Sequence, residues 1–342
     1  VLYTEWSLVN AADRAGTFEE VPVSVVVLTT GGTIASARGL GDRIAPINPG
    51  HHALHSIVDS DAVIRDVMAV DSSAMSLPRM VTIRDAVTEA FDDPRVEGVV
   101  VLHGTDTLEE TAMFLDLFHS DPRPIVVTGA QRPVDHPDPD GPHNVQAAIA
   151  TARRTDARDR GVLIVFGNRV LPARGTRKAH TTRLDGFEHY LPTPETSRAI
   201  LRWHPDVAQI RVDTIALYPG ADRLHIDASI AAGARGIVLD AMGSGNANPN
   251  VLAAVRQCMH EGIAVVVTSR VPHGVVEPIY GGHGGGHDLA AAGAVVSSWL
   301  RAEQARIMLI ALLAGGADHR RMLSAYADVV GIGDQRSVCS LP

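Results

Sequence analysis

VVVLTTGGTIAS, residues Val25 to Ser36, is the stretch whose reading decides the fold. Ser24-Val-Val-Val-Leu is rich in β-branched residues and does not alternate with polar ones, the pattern of a parallel strand covered by helices on both faces. It stops at Thr29. Gly31 and Gly32 then allow a sharp turn and a close backbone approach, and Thr33 follows with its hydroxyl on the turn. An open α/β sheet holds ligands at this place, just beyond the carboxyl end of a strand. The phosphate-cradling spacings G-x-G-x-x-G and G-x-x-x-x-G-K-[ST] are both missing, so the hydroxyls are the unusual part. A glycine turn whose threonines only make local backbone bonds is the alternative for this stretch alone.

Outward from this turn, strands alternate with helices. Ala37 to Pro49 is polar and glycine-containing and reads as a surface loop able to act as a lid. His51 to Arg65 has helical apolar spacing, Val67 to Val70 reads as a short strand, and Asp71-Ser72-Ser73 ends it in a second hydroxyl-rich turn. A helix over Thr82 to Phe91, a strand over Gly98 to Leu102, a helix over Thr107 to His119, a strand over Pro124 to Thr128, a helix over Asn144 to Arg154 and a strand over Gly161 to Phe166 follow. Thr107 and Glu110 fit a capping box. Asn168 to Asp213 has no clear period. A second alternation then runs from Thr214 to Ala314, interrupted by YGGHGGGH at Tyr280 to His287, which reads as a flexible loop; His283 and His287 lack the spacing of a metal site. The fold class is therefore α/β, with a mainly parallel N-terminal sheet covered by helices on both faces and a smaller C-terminal α/β domain. Residues 1–22 read as a tail or an appended remnant, 23–195 as the N-terminal domain, 196–213 as a linker and 214–335 as the C-terminal domain.

Composition narrows the function classes. Of 342 residues, 45% are hydrophobic and 20% charged, and 39 acidic against 30 basic residues leave a net charge of −9. Basic residues are scattered and lack interleaved aromatics, which argues against nucleic acid as a partner. No apolar run approaches a membrane span of roughly 18 residues. Cys258 and Cys339 match no metal or redox spacing, and Val1 to Pro22 has no basic start followed by an apolar core; both features point to a cytoplasmic protein with reduced thiols.

The chemistry is concentrated in a second constellation. VVVLHGTDTLEETA, Val99 to Ala112, repeats the strand, glycine and hydroxyl order and adds Asp106. Two strand ends of one parallel sheet converge at a crevice, so Thr33, Thr105 and Asp106 can share a site with Ser72. A hydroxyl becomes a nucleophile only when something takes its proton. Lys178, in RGTRKAHTT, is the best-suited cation. Poised by Asp106, it would relay a proton from Thr105, while glycine-flanked amides offer an oxyanion pocket. A solvated loop lysine and a carboxylate at a helix N-terminus are the plainer readings of Lys178 and Asp106.

TTGGTIAS (Thr29 to Ser36) and HGTDTLEETA (His103 to Ala112), in this order and some seventy residues apart, resemble the two signatures of the bacterial two-domain L-asparaginases. VVTGAQRP (Val126 to Pro133), DGPHN (Asp140 to Asn144), GSGNAN (Gly243 to Asn248), SRVP (Ser269 to Pro272) and QARIMLIAL (Gln304 to Leu312) extend the similarity over most of the chain. The resemblance implies that Thr33 attacks the side-chain amide of L-asparagine, releasing ammonia and leaving an acyl-threonine that water hydrolyses to aspartate. It makes Thr105, Asp106 and Lys178 a proton-handling triad and Ser72, Ser73, Thr105, Asp106 and Ala130 substrate-binding residues. It further implies no metal or organic cofactor, and a homotetramer built from dimers in which Asn246 and Asn248 complete a neighbouring site. The chain departs from the pattern in having no tyrosine between Thr33 and Pro49, Ser73 where a glutamine is common, and Glu277 or Tyr280 at a shifted spacing after Pro272; these features look more like the actinobacterial cytoplasmic type. Alternatives of other kinds are a glutaminase-asparaginase, an ammonia-releasing amidotransferase subunit, and a catalytically silent amino-acid-binding protein.

Overall fold

In the computed structural model, residues 24–32, 36–38, 44–46, 62–191 and 200–327 are described. Strand β1 (Val25–Gly31) is buried along its whole length. It lies between β4 (Ala62–Val70) and β5 (Gly98–Leu102), parallel to both, with Thr29 beside Asp66 on one side and Leu102 on the other. β6 (Ile125–Thr128), β7 (Val162–Phe166) and the antiparallel β8 (Arg169–Pro172) complete the order β4-β1-β5-β6-β7-β8. The unalternated valine run has a direct cause, since both faces are covered. Val26 and Leu28 pack with Ile83, Val87, Leu108 and Leu115 of helices α1 (Leu77–Phe91) and α2 (Leu108–Phe118), whereas Val25 and Val27 pack with Val145, Ala148 and Ile149 of α3 (Gly141–Ala152).

The second sheet is parallel throughout, in the order β11 (Val212–Ala216), β12 (Gly236–Ala241), β13 (Ala264–Ser269) and β14 (Val295–Val296). Helices α4 (Leu224–Ala231), α5 (Pro249–His260) and α6 (Gly286–Ala291) pack with one face in a shared core. The other face is covered by α7 (Ala302–Ala314), which is followed by α8 (His319–Ala327). Helix α7 is apolar nearly all round because it is buried nearly all round. Its residues join Val238 and Val266 of the second sheet to Met113, Phe114 and Leu117 of α2 in one continuous core.

Several expectations are revised by this structure. The segment 37–49 is not simply loop, since Ser36–Arg38 and Ile44–Pro46 pair as an antiparallel ladder, β2 and β3. Residues 62–65 are strand, not helix, because β4 pairs with β1 from Val25 onward. Residues 51–61, the expected tail 1–22 and Cys339 lie outside the described ones. The unpatterned stretch after Asn168 contains β8, β9 (Thr176–Lys178) and β10 (Phe187–His189), strands too short to show a period. Within the expected linker, Trp203 stacks edge-on against Phe114 and Phe118, and Val207 and Ile210 are buried. The histidine-glycine stretch is anchored at its end: Asn246 Oδ1 accepts from the Gly286 N–H at 3.0 Å, Asp288 accepts from Gly284 N–H at 2.9 Å, and α6 begins at Gly286.

Candidate active site

The chain leaves β1 toward β4 on one side, then crosses to β5 on the other. The carboxyl ends of β1 and β5 therefore flank the point where the strand order reverses, which is where an open α/β sheet forms its crevice. Thr29 and Thr30 do not face a ligand with free hydroxyls. Thr29 donates to Asp66 Oδ1 at 2.5 Å and Thr30 to the Leu102 carbonyl at 2.8 Å, clasping β1 to both neighbours. Gly32, at φ +82°, lies so close to Gly104 that a β-carbon would land on the Gly104 backbone. Thr33 follows immediately and lies outside the described residues.

The end of β5 is held from beneath by His103. Its Nδ1 sits 2.7 Å from the Gly104 carbonyl, which can only accept, so Nδ1 carries the proton and Nε2 accepts from the Thr111 hydroxyl at 2.9 Å. Complete burial lowers the imidazole pKa to about 4 and keeps the ring neutral. Above it, the short turn Ser72–Ala74 docks onto the residues after Gly104. Asp106 donates its N–H to Ser72 Oγ at 3.2 Å, and Thr107 donates its hydroxyl to the Ser72 carbonyl at 2.8 Å. Thr107 thus makes no side-chain cap on α2, and the expected capping box does not form. Its other member, Glu110, is turned inward, with Oε2 buried and unpartnered among the described residues.

Lys178 reaches this cluster from β9, a strand outside the main sheet, whose Lys178 pairs with Phe187 of β10. Its Nζ lies 2.7 Å from both Thr105 Oγ1 and Asp106 Oδ1. Thr105 is buried and the lysine side chain is 19% exposed, whereas the Asp106 side chain is 56% exposed. The ammonium is thus held between a sheltered hydroxyl and a carboxylate open to the crevice, within proton-transfer distance of the former. Glu109 accepts the Lys178 backbone N–H. Burial first, and the neighbouring Glu110 and Glu303 next, push the Glu109 pKa well up.

Ala130 follows β6 on the same sheet edge and is buried. Its turn is shaped by Asp140, which accepts the N–H groups of Gln131 and Arg132 at 3.0 and 2.9 Å, and by Asn144, which donates to the Gly129 carbonyl at 2.9 Å. Ser73 is exposed. Asn246 and Asn248 stand apart, on the loop after β12. Asn246 joins Gly286 as described, and Asn248 caps α5 by accepting from the N–H groups of Asn250 and Val251. Among the described residues no three His, Cys, Asp or Glu side chains gather as a metal site, and no helix is long and apolar enough to cross a membrane. Ser72, Thr105, Asp106 and Lys178 are thus brought together. Sequence reasoning does not single out His103, Glu109 or Gln304, because Glu109 and Gln304 bond to backbone groups and His103 to one backbone carbonyl and one hydroxyl, contacts that leave no spacing signal.

Comparison with known proteins places the chain in a family. Residues 24–204 match the family described as asparaginase, N-terminal, and residues 211–324 match the glutaminase/asparaginase C-terminal domain. The chain is 33% identical to an L-asparaginase of Bacillus licheniformis over 85% of its own length and 95% of that protein's. It is 31% identical to L-asparaginase 2 of Escherichia coli, covering 84% of this chain and 87% of that one. A glutaminase-asparaginase of Pseudomonas fluorescens is 27% identical over 73% of this chain and 76% of its own. With both domains matched in order along the two sheets, the chain belongs to the asparaginase family.

Proposed function

We propose that this protein is an L-asparagine amidohydrolase that forms L-aspartate and ammonia through an acyl-threonine. One observation carries the reading: Lys178 Nζ touches both Thr105 and Asp106 at 2.7 Å, beside the glycine turn that leads into Thr33. Relatives named L-asparaginase over most of their length support the substrate.

In this reading the Thr33 oxygen adds to the side-chain amide carbon of asparagine, and the C–N bond breaks as the amine takes a proton and leaves as ammonia. Water then adds to the ester and releases aspartate and the Thr33 hydroxyl. Thr105 and Lys178 move the protons, with Asp106 holding the ammonium in place. Ser72 is suited to the α-carboxylate, because its oxygen already accepts from Asp106 N–H and its own O–H donates to none of the described residues. The exposed Asp106 carboxylate is suited to the α-ammonium. The same reading gives Ala130 and Ser73 further substrate contacts.

The reading includes a homotetramer built from dimers, in which Asn246 and Asn248 border a neighbouring site. Val271, Val275, Ile279 and Tyr280, all more than a third exposed on the loop that packs near that segment, support a covered face there. A cytoplasmic setting is part of the same proposal, supported by Cys258, a free and buried thiol.

The test is ammonia release from L-asparagine, L-glutamine and D-asparagine by the wild-type protein and by Thr33→Ala. Rapid release from L-asparagine, lost at least a thousandfold in the variant, is the expected result. Full activity of Thr33→Ala would remove Thr33 as nucleophile. Faster release from L-glutamine would favour the glutaminase-asparaginase reading, for which the Pseudomonas relative is the supporting observation.

A further inference from the structure

Lys178 is carried by a strand that belongs to neither large sheet, so something else fixes where its ammonium points. Among the described residues, strand β9 pairs only with the three-residue β10. The turn that leads into β9 is held by one side chain from far along the chain. Gln304, in the first turn of α7 and 2% exposed, accepts from Gly175 N–H at 2.8 Å. Its amide nitrogen is 2.8 Å from the Ala173 carbonyl, 3.0 Å from that of Thr176 and 3.4 Å from that of Glu109. One carboxamide therefore spans the turn entering β9 and the first turn of α2. Glu109 closes the bracket by accepting the Lys178 N–H with its carboxyl. Helix α2 begins at Leu108, two residues after Asp106, so the bracket sets the distance between the lysine and both of its partners.

We propose that Gln304 is a positioning residue for Lys178: the C-terminal sheet's covering helix, through this carboxamide, holds the ammonium of the same chain against Thr105 and Asp106. The proposal rests on the reading of Lys178 as a proton-handling group. A purely structural glutamine would serve as well in any orientation that satisfies the buried backbone groups. Here the amide instead joins the two segments whose separation decides the Lys178 contacts. Displacements of about an ångström in such a group are worth on the order of a hundredfold in rate.

The test compares Gln304→Met, which keeps the length and removes every bond, with Gln304→Glu, which in its protonated form restores one donor and one acceptor. Met308→Ala is the control, because Met308 lies on the same helix and in the same core. Expected for Gln304→Met is a fall in kcat of roughly tenfold to a hundredfold with KM within about twofold, at a temperature where all three variants are folded by circular dichroism. Gln304→Glu falls between it and wild type, and Met308→Ala keeps wild-type kcat. A second readout needs no turnover: acetylation of Lys178 by acetic anhydride, followed by peptide mass, quickens severalfold in Gln304→Met as Nζ loses its two partners. Wild-type kcat and wild-type labelling in Gln304→Met would overturn the proposal, as would an equal kcat loss in Met308→Ala. Should Gln304→Met fail to fold, Gln304→Glu carries both measurements with the same criteria. Faster labelling in the variants of a wild-type protein that releases no ammonia would instead support the bracket and overturn the asparaginase reading.

Discussion

Glu110 occupies the first turn of α2 with a carboxyl oxygen that is buried and unpartnered among the described residues. Burial, with Glu303 adding to it and Arg306 opposing it, raises its pKa to about 7. The folded state therefore binds a proton that the unfolded state has already released between about pH 4.5 and pH 7. Stability from this group is intact below the unfolded pKa and is lost as pH rises through the folded one. Glu110→Gln removes the titration, so it should stabilise the protein by about 2–4 kcal/mol at pH 8 and by under about 1 kcal/mol at pH 5. Urea unfolding at the two pH values checks this; an equal gain at both would show that the carboxyl is not the cause. His103 pulls the other way, because a ring kept neutral by burial costs stability as pH falls from the ordinary imidazole range toward 4.

Among the elements, the crevice depends on how closely three strand ends and one turn approach. A β-carbon on Gly104 would lie 2.5 Å from Ser72 Oγ and 2.7 Å from Ser72 Cβ. Gly104→Ala must therefore push the Ser72 turn away from Asp106, and kcat/KM for L-asparagine should fall at least tenfold while the sheet order is kept. Steady-state ammonia release and far-ultraviolet circular dichroism check the two halves of that statement. These strand ends are legible from the sequence, because an apolar run followed by glycine and hydroxyls has a local cause. The pairing of Lys178 with Asp106 is legible from charge and family resemblance, although the strand that carries the lysine is not, since three residues hold no period. The capping box at Thr107 fails for a tertiary reason: Ser72, 35 positions earlier, takes the hydroxyl that a local rule assigns to the helix. Gln304 reads as part of an apolar helix and nothing more. Its partners are backbone groups 128 to 195 positions away, and no spacing marks them.

Across the molecule, the two sheets share a core, and the C-terminal domain leaves several large apolar side chains exposed. Light scattering or native mass measurement should find about four chains per particle, in keeping with the exposed Val271, Val275, Ile279 and Tyr280. A fully active monomer would exclude a shared site. The core itself has a consequence for how the protein is made. The N-terminal sheet is complete in the chain by Pro172, yet Met113, Phe114 and Leu117 are covered by α7, whose residues begin about 130 positions later. At roughly 5–20 residues per second, a ribosome leaves that apolar flank of α2 bare for on the order of ten seconds, an interval in which a chaperone on the nascent chain has a defined surface to guard.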